Sequence, residues 1–167
     1  MLNILIPVDG SKSSLRAVEY VVQYRALHNE VLNVTLVHAQ PRFSRYLTRF
    51  VPSGNVTMFQ KERADKALES AINVLSEAQV VHEVHVGKGD TTDVIIGCAE
   101  KIGAQKIVMG STRKNALARF FQGSVVSKVM AGTDIPVEVI AKENASKVER
   151  FGVPIGLGLT FLWLAVE

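Results

Sequence analysis

Two glycines and a serine carry the first chemical signal in this chain. Gly110-Ser111-Thr112-Arg113 is followed, nine residues on, by Gly123-Ser124-Val125. The apolar run Ile107-Val108-Met109 precedes this stretch and is short enough for a buried strand, while Val125, Val126, Val129 and Met130 follow it at helical spacing. Strand, glycine-bounded loop and helix in that order suit the binding of an anion. A helix beginning at Ser124 leaves its first N–H groups unpaired; the serine can cap them, and the positive end of the helix dipole faces the loop. Gly123 lets a phosphate approach the main chain, and Gly110 lets the chain leave the strand tip in a conformation that other residues resist. The stretch matches neither the Walker pattern nor GxGxxG, and two glycines before a helix are more often plain turn chemistry.

A second unit of the same kind opens the chain. Ile4-Leu5-Ile6-Pro7-Val8 reads as a buried strand running into the acidic turn Asp9-Gly10-Ser11, and Leu15, Val18, Val22 and Ala26 then fall on one helical face. Together these residues resemble the universal stress protein family. The resemblance rests on Pro7-Val8-Asp9-Gly10-Ser11, on His38 near the end of the second strand, and on the loop G-2x-G-9x-G-[S/T], which holds the nucleotide in ATP-binding members; it covers roughly Leu2 to Ala141.

The resemblance implies an ATP site, with magnesium as a companion, built from Pro7, Val8, Asp9, Ala39, Met109, Gly110, Arg113, Gly123, Ser124 and Val125. It implies a cytoplasmic stress-response protein that acts as a sensor or a very slow hydrolase, with no catalytic residue to name. The alternative is a nucleotide-free dimeric interaction module of the same family. The loop glycines discriminate the two, but Arg113 stands where ATP-binding members have their second loop glycine and keeps that test from being decisive. If that position needs a positive φ, an arginine there is strained and its side chain fills the phosphate space; if the side chain reaches outward, its guanidinium clamps phosphates in a fork; the third reading is a surface arginine on a loop. For Asp9 the family role is a bond to a ribose hydroxyl; holding a metal ion and capping its own turn are the other readings.

With 167 residues, 47% of them apolar, the chain can bury one core, so one domain is expected over 1–141, then a polar linker over 142–150 and an apolar extension over 151–167. A net charge of +3, scattered along the sequence, does not announce nucleic acid. Cys98 is the only cysteine, which excludes an internal disulfide and points to a reducing compartment. Set among Val94, Ile95, Ala99 and Ile102, it reads as a core thiol rather than a nucleophile. Asp9 and Lys12 interrupt the first apolar run, so the opening does not read as a secretory leader.

The elements that must position the site alternate. After the first strand and helix the patterns predict a strand near Val31–Ala39, a helix near Met58–Gln79 with Ala64, Ala67, Leu68, Ala71, Ile72 and Leu75 inward, and a strand near Val80–Val86. A helix near Thr92–Ile102, the Ile107–Met109 strand, the Ser124 helix and a strand near Ile135–Ile140 complete five strands and four helices. The fold class is therefore α/β: a single open parallel sheet with helices on both faces, Rossmann-like, since parallel strands need right-handed crossovers. The resemblance adds the order 3-2-1-4-5, which puts the first and fourth strands together at the point where ligands bind such sheets.

Other features bear on partners. Gln40 to Asn55 is long for a connection, and Arg42, Arg45 and Arg49 fall there at helical spacing: a lid over a polyphosphate, a basic edge for a protein or membrane, or a solvated loop. His82 and His85, three apart in a strand, point to opposite faces and cannot share a metal. No serine or cysteine is patterned with His38 as a hydrolytic nucleophile. Finally, Phe151 to Val166 is sixteen residues without charge, but Gly152, Pro154, Gly156 and Gly158 weaken any helix and about 20 apolar residues are needed to span a bilayer. Leu157, Leu159, Phe161, Leu162, Trp163 and Leu164 still need cover. A second subunit, also recruited by the last strand as a sheet edge, is the expected cover, and peripheral membrane contact is the runner-up.

Overall fold

The computed structural model describes residues 1–41, 53–111 and 124–141. Along the chain β1 (Leu2–Pro7), α1 (Lys12–His28), β2 (Leu32–Gln40), α2 (Ser53–Glu77), β3 (His82–Lys88), α3 (Thr91–Lys101), β4 (Lys106–Ser111), α4 (Val125–Gly132) and β5 (Val137–Ala141) alternate. Every strand pair is parallel, in the order β3-β2-β1-β4-β5. β1 thus lies between β2 and β4, with Leu2 opposite Leu32 and Ile4 opposite both Val34 and Lys106.

A strand covered on both faces must be apolar along its buried run, and Ile4-Leu5-Ile6 at the centre of β1 is. Ile4 and Ile6 join Val34, Leu36 and Val108 in a cluster with Val18 and Val21 of α1 and Leu68 and Leu75 of α2. Leu5, on the opposite face, joins Val37, Ile107 and Met109 with Ile95 of α3 and Val126 and Val129 of α4. The inward face of α2 is close to the expected one: Ala64, Leu68, Ala71 and Leu75 are buried, Ala67 and Ile72 half-buried.

Four expectations need correction. α2 begins at Ser53 rather than near Met58. The buried face of α1 is Ser13, Ser14, Ala17, Val18 and Val21, whereas Leu15 and Val22 are half-buried and Ala26 is exposed. Apolar spacing misses this because α1 approaches the sheet so closely that small residues, serines included, form its contact face. β3 begins at His82 rather than near Val80, because α2 closes at Glu77 through Gln79 in the left-handed region (φ 52°) and a bond from Val80 N–H to the Leu75 carbonyl at 2.9 Å. β5 begins at Val137, since Pro136 has no N–H to donate and offers only its carbonyl, to Ile107 N–H at 2.9 Å. The basic stripe Arg42, Arg45 and Arg49 and the stretch 142–167 lie outside the described residues.

A polar cluster ties β5 to α1. The Tyr20 hydroxyl donates to Glu138 Oε1, Lys106 Nζ lies 3.0 Å from Glu138 Oε2, and the same ammonium sits 5.2 Å from the centre of the Tyr24 ring. The bond to Glu138, helped by burial, pushes the Tyr20 hydroxyl up to about 12. Burial alone would raise the Glu138 carboxyl, but the bonds from Tyr20 and Lys106 hold it below the usual glutamate range.

The signs set a pH window. A lowered Glu138 stabilises above its unfolded value of about 4.3 and loses this as pH falls through its folded value; a raised Tyr20 stabilises below its unfolded value of about 10 and loses this as pH rises through the folded one. We therefore expect Tyr20→Phe to cost about 1 kcal/mol between roughly pH 5 and 10, and less on either side, in urea unfolding across that range. An equal loss at pH 3 and pH 7 contradicts the assignment.

Candidate functional site

The central pair of strands brings two helix starts to one end of the sheet. Beyond β1, Val8 N–H donates to the Val37 carbonyl at 2.8 Å, so the chain stays aligned with β2 for one more residue before it turns. The turn is built by Asp9, whose Oδ1 accepts the Ser11 N–H at 2.9 Å, and by Gly10 at φ +80°, in the region that favours glycine. A Cβ on Gly10 would also sit 3.1 Å from Ala67 Cα of α2. Ser11 then caps α1, its Oγ accepting the Ser14 N–H at 3.2 Å. Burial pushes the Asp9 carboxyl up, but the hydrogen bonds from Ser11 and Ser14 outweigh it and leave the group below the usual aspartate range. Asp9 does cap its own turn, as an ionised carboxylate.

Gly110, near the end of β4, has a different reason to be glycine from the one its sequence context suggests. Its φ lies outside the left-handed region, whereas a Cβ there would fall 1.8 Å from the Ser13 carbonyl oxygen and 2.8 Å from the Ser14 nitrogen. The first turn of α1 rests directly on the main chain of β4. Arg16 adds a clasp, its Nη2 donating to the Ser111 carbonyl at 3.0 Å. Ser124 caps α4 as anticipated, accepting the Ser127 N–H at 3.2 Å.

These elements enclose a cavity of about 270 Å³ at the tips of β1 and β4. Pro7, Val8, Asp9, Ala39, Met109, Gly110 and Val125, named from the sequence, line it together. Ser124 stands one residue before Val125; Arg113 and Gly123 fall outside the described residues. Thr91 and Ile95 line the cavity too and were missed. The signal was available: in a parallel sheet every helix starts at the same end, so the turn Gly87-Lys88-Gly89-Asp90 had to deliver the start of α3 here. Asp90 caps that helix, accepting the Thr92 N–H at 2.8 Å.

The remaining chemistry-bearing side chains are occupied elsewhere. His38 shares a hydrogen bond of 2.7 Å with the Val8 carbonyl, in which its Nδ1–H donates. His82 Nδ1–H donates to the Val80 carbonyl at 2.9 Å, and His85 Nε2 lies 3.8 Å from Glu83. Among the described residues no three His, Cys, Asp or Glu side chains come together as a metal site. Burial pushes the half-buried Cys98 thiol up, away from the reactive thiolate. Among the described residues no helix is long and apolar enough to cross a membrane.

Comparison with known proteins gives a consistent family. The model of the universal stress protein family matches residues 1–141. Universal stress protein MJ0531 of Methanocaldococcus jannaschii is 29% identical over 143 residues, 83% of this chain and 81% of its own. Stress response protein NhaX of Bacillus subtilis is 34% identical over 83 residues, and there the chain spans only half the length of its relative. Among solved structures, protein MJ0577 superposes with a TM-score of 0.69 at 24% identity, covering 86% of this chain and 97% of that one. An Arabidopsis thaliana universal stress protein with AMP bound gives 0.63 at 21%, covering 88% and 95%. A universal stress protein in complex with cAMP gives 0.63 at 23%, covering 83% and 96%. At these identities the structural likeness speaks for the fold.

The contact at Gly110 can be weighed against a glycine with space around it. Gly97, exposed in α3, has nothing within 4 Å of an added Cβ. We expect Gly97→Ala to stabilise the protein by about 1 kcal/mol, as in any open helix position, and Gly110→Ala to cost about 3 kcal/mol or more, because main chain must move. Urea unfolding of both variants checks this; a neutral Gly110→Ala contradicts the packing.

Proposed function

Because the chain belongs to the universal stress protein family, we propose that it is a stress-response protein whose strand-tip cavity binds an adenine nucleotide. The nucleotide is ATP with magnesium, and the protein works in the cytoplasm as a sensor or very slow hydrolase. One observation carries the reading: in a single cavity, apolar Val8, Ala39 and Met109 stand beside the bare main chain of Gly110 and the start of α4. The apolar walls suit a flat base, Asp9 suits a ribose hydroxyl, and a helix start capped by Ser124 suits phosphates. The relatives carrying AMP and cAMP support adenine; the triphosphate rests on Gly110, Gly123 and Ser124 at the family spacing.

Calorimetry tests this. ATP added at 100 times its dissociation constant is expected to release heat and to stabilise the fold by about 2.7 kcal/mol. Absence of both at millimolar ATP leaves the nucleotide-free interaction module as the function. Arg113→Ala weakens ATP more than adenosine if the guanidinium clamps phosphate, whereas Arg113→Gly tightens ATP if the arginine obstructs it.

We further propose a homodimer formed through β5, with the apolar stretch 151–166 covered by the second copy. β5 supports it as a sheet edge that pairs only with β4 among the described residues, and its one charged residue, Glu138, is drawn onto Tyr20 and Lys106. Light scattering is expected to show a dimer for the full chain and a monomer for one ending at Glu143. A monomer in both rejects the dimer, a dimer in both frees the tail from it, and partition of the full chain alone to vesicles assigns the tail to lipid.

A further inference from the structure

The nucleotide cavity is not the larger one at this end of the sheet. On the other side of Asp9 and Ala39, which line both, lies a second cavity of about 640 Å³ between the tips of β1 and β2 and the flank of α2. Its floor is fixed. The buried Gln40 donates from Nε2 to the Gln60 carbonyl at 2.5 Å, and Gly89 N–H donates to the Gln40 carbonyl at 3.0 Å, so the end of β2 is tied to α2 and to the turn after β3. On the β1 side, Gly10 allows α2 to approach at Ala67.

The helix wall is cationic. Arg63, Lys66 and Ser70 recur along one face of α2 and all line the cavity. The Arg63 guanidinium is held 5.7 Å from the centre of the Phe59 ring, and among the described residues neither Arg63 nor Lys66 has a carboxylate within ion-pair distance. The acidic and imidazole groups on the walls are Asp9, Glu69 and His38. Asp9 directs a carboxylate oxygen to the Ser11 amide, His38 gives Nδ1–H to the Val8 carbonyl, and these groups do not assemble into a cation site. Two cations with no carboxylate partner among the described residues, a hydroxyl and a rigid polar floor are complementary to an oxyanion.

We propose that this second cavity is a phosphate-binding site, with Arg63 and Lys66 holding the oxyanion, distinct from the place where the proposed nucleotide would lay its own phosphates over Gly110 and Ser124. Its existence does not require the nucleotide reading. The phosphate can belong to a free phosphorylated metabolite or to the far part of a polyphosphate ligand whose base occupies the neighbouring cavity; both present anionic phosphoryl oxygens.

Pyrophosphate titrated calorimetrically into the full chain at low ionic strength is the direct test. Binding is expected, about tenfold weaker in each of Arg63→Ala and Lys66→Ala, and abolished in the double variant. Both side chains are exposed on a helix and alanine is the best helix former, so the variants keep the fold. Saturation with AMP is expected to leave pyrophosphate affinity unchanged, and the double variant to leave AMP affinity unchanged. If neither AMP nor ATP binds, the nucleotide reading fails while the arginine and lysine variants still decide this one. A diadenosine polyphosphate that outcompetes ATP only while Arg63 and Lys66 are present supports the site and assigns its phosphate to a two-part ligand; equal affinity for the two, with pyrophosphate still bound, supports it with a free phosphate. No pyrophosphate binding, equal affinity in the double variant, or displacement of pyrophosphate by AMP overturns the proposal.

Discussion

The cavity between the tips of β1 and β4 depends on main chain resting on main chain where α1 crosses β4. An added Cβ at Gly110 would stand 1.8 Å from the Ser13 carbonyl oxygen, so the contact exists only because one partner has no side chain. Its neighbours obey the same limit: Ser13, Ser14 and Ala17 are the small residues through which α1 meets the sheet. This closeness sets the separation between the Asp9 turn and the end of β4, and Arg16 fastens it by holding the Ser111 carbonyl. The cavity between the strand tips is what that separation leaves open. Space for a ligand is thus created by the tightest packing in its surroundings.

The fold was largely legible because a parallel sheet writes itself in runs that are apolar throughout. Ile4-Leu5-Ile6 and Ile107-Val108-Met109 could not be amphipathic strands, and their alternation with helical periods left few topologies. The misreadings share a cause. The face of α1 was misjudged because apolar periodicity equates burial with large side chains, whereas close helix-to-sheet contact selects serine and alanine. The shifted starts of β3 and β5 come from backbone events, a left-handed Gln79 and the missing donor of Pro136, which hydrophobicity does not register.

The candidate site was legible as a set of residues and less so as a set of reasons. Asp9, Ala39, Met109, Gly110 and Val125 come from four separate segments and line one cavity. Gly110 was read as a residue needing unusual dihedrals, and its requirement is clearance, a property of a neighbour nearly one hundred residues away that no local pattern can encode. Thr91 and Ile95 were reachable only by asking where every helix of a parallel sheet must begin. The larger cavity escaped for a related reason. Arg63 and Lys66 are ordinary charges in the sequence of an amphipathic helix, and become a pair facing a strand tip only once Gln40 and Gly10 fix where that helix lies.

The position of β1 has a consequence for the order in which this protein assembles. Its partners are made at very different times: β2 follows within one helix, whereas β4 is separated from it by two strands and three helices. While the chain grows, Ile4, Leu5 and Ile6 can pair on one side only, and the other side remains an apolar edge until Lys106–Ser111 has been synthesised. Closure of that long loop is the entropically costly step, and it is the same step that seats α1 on Gly110. The two sides of the cavity between the tips of β1 and β4 therefore come together only after β4 has been made, and a chain that stops short of Lys106 lacks one of its walls.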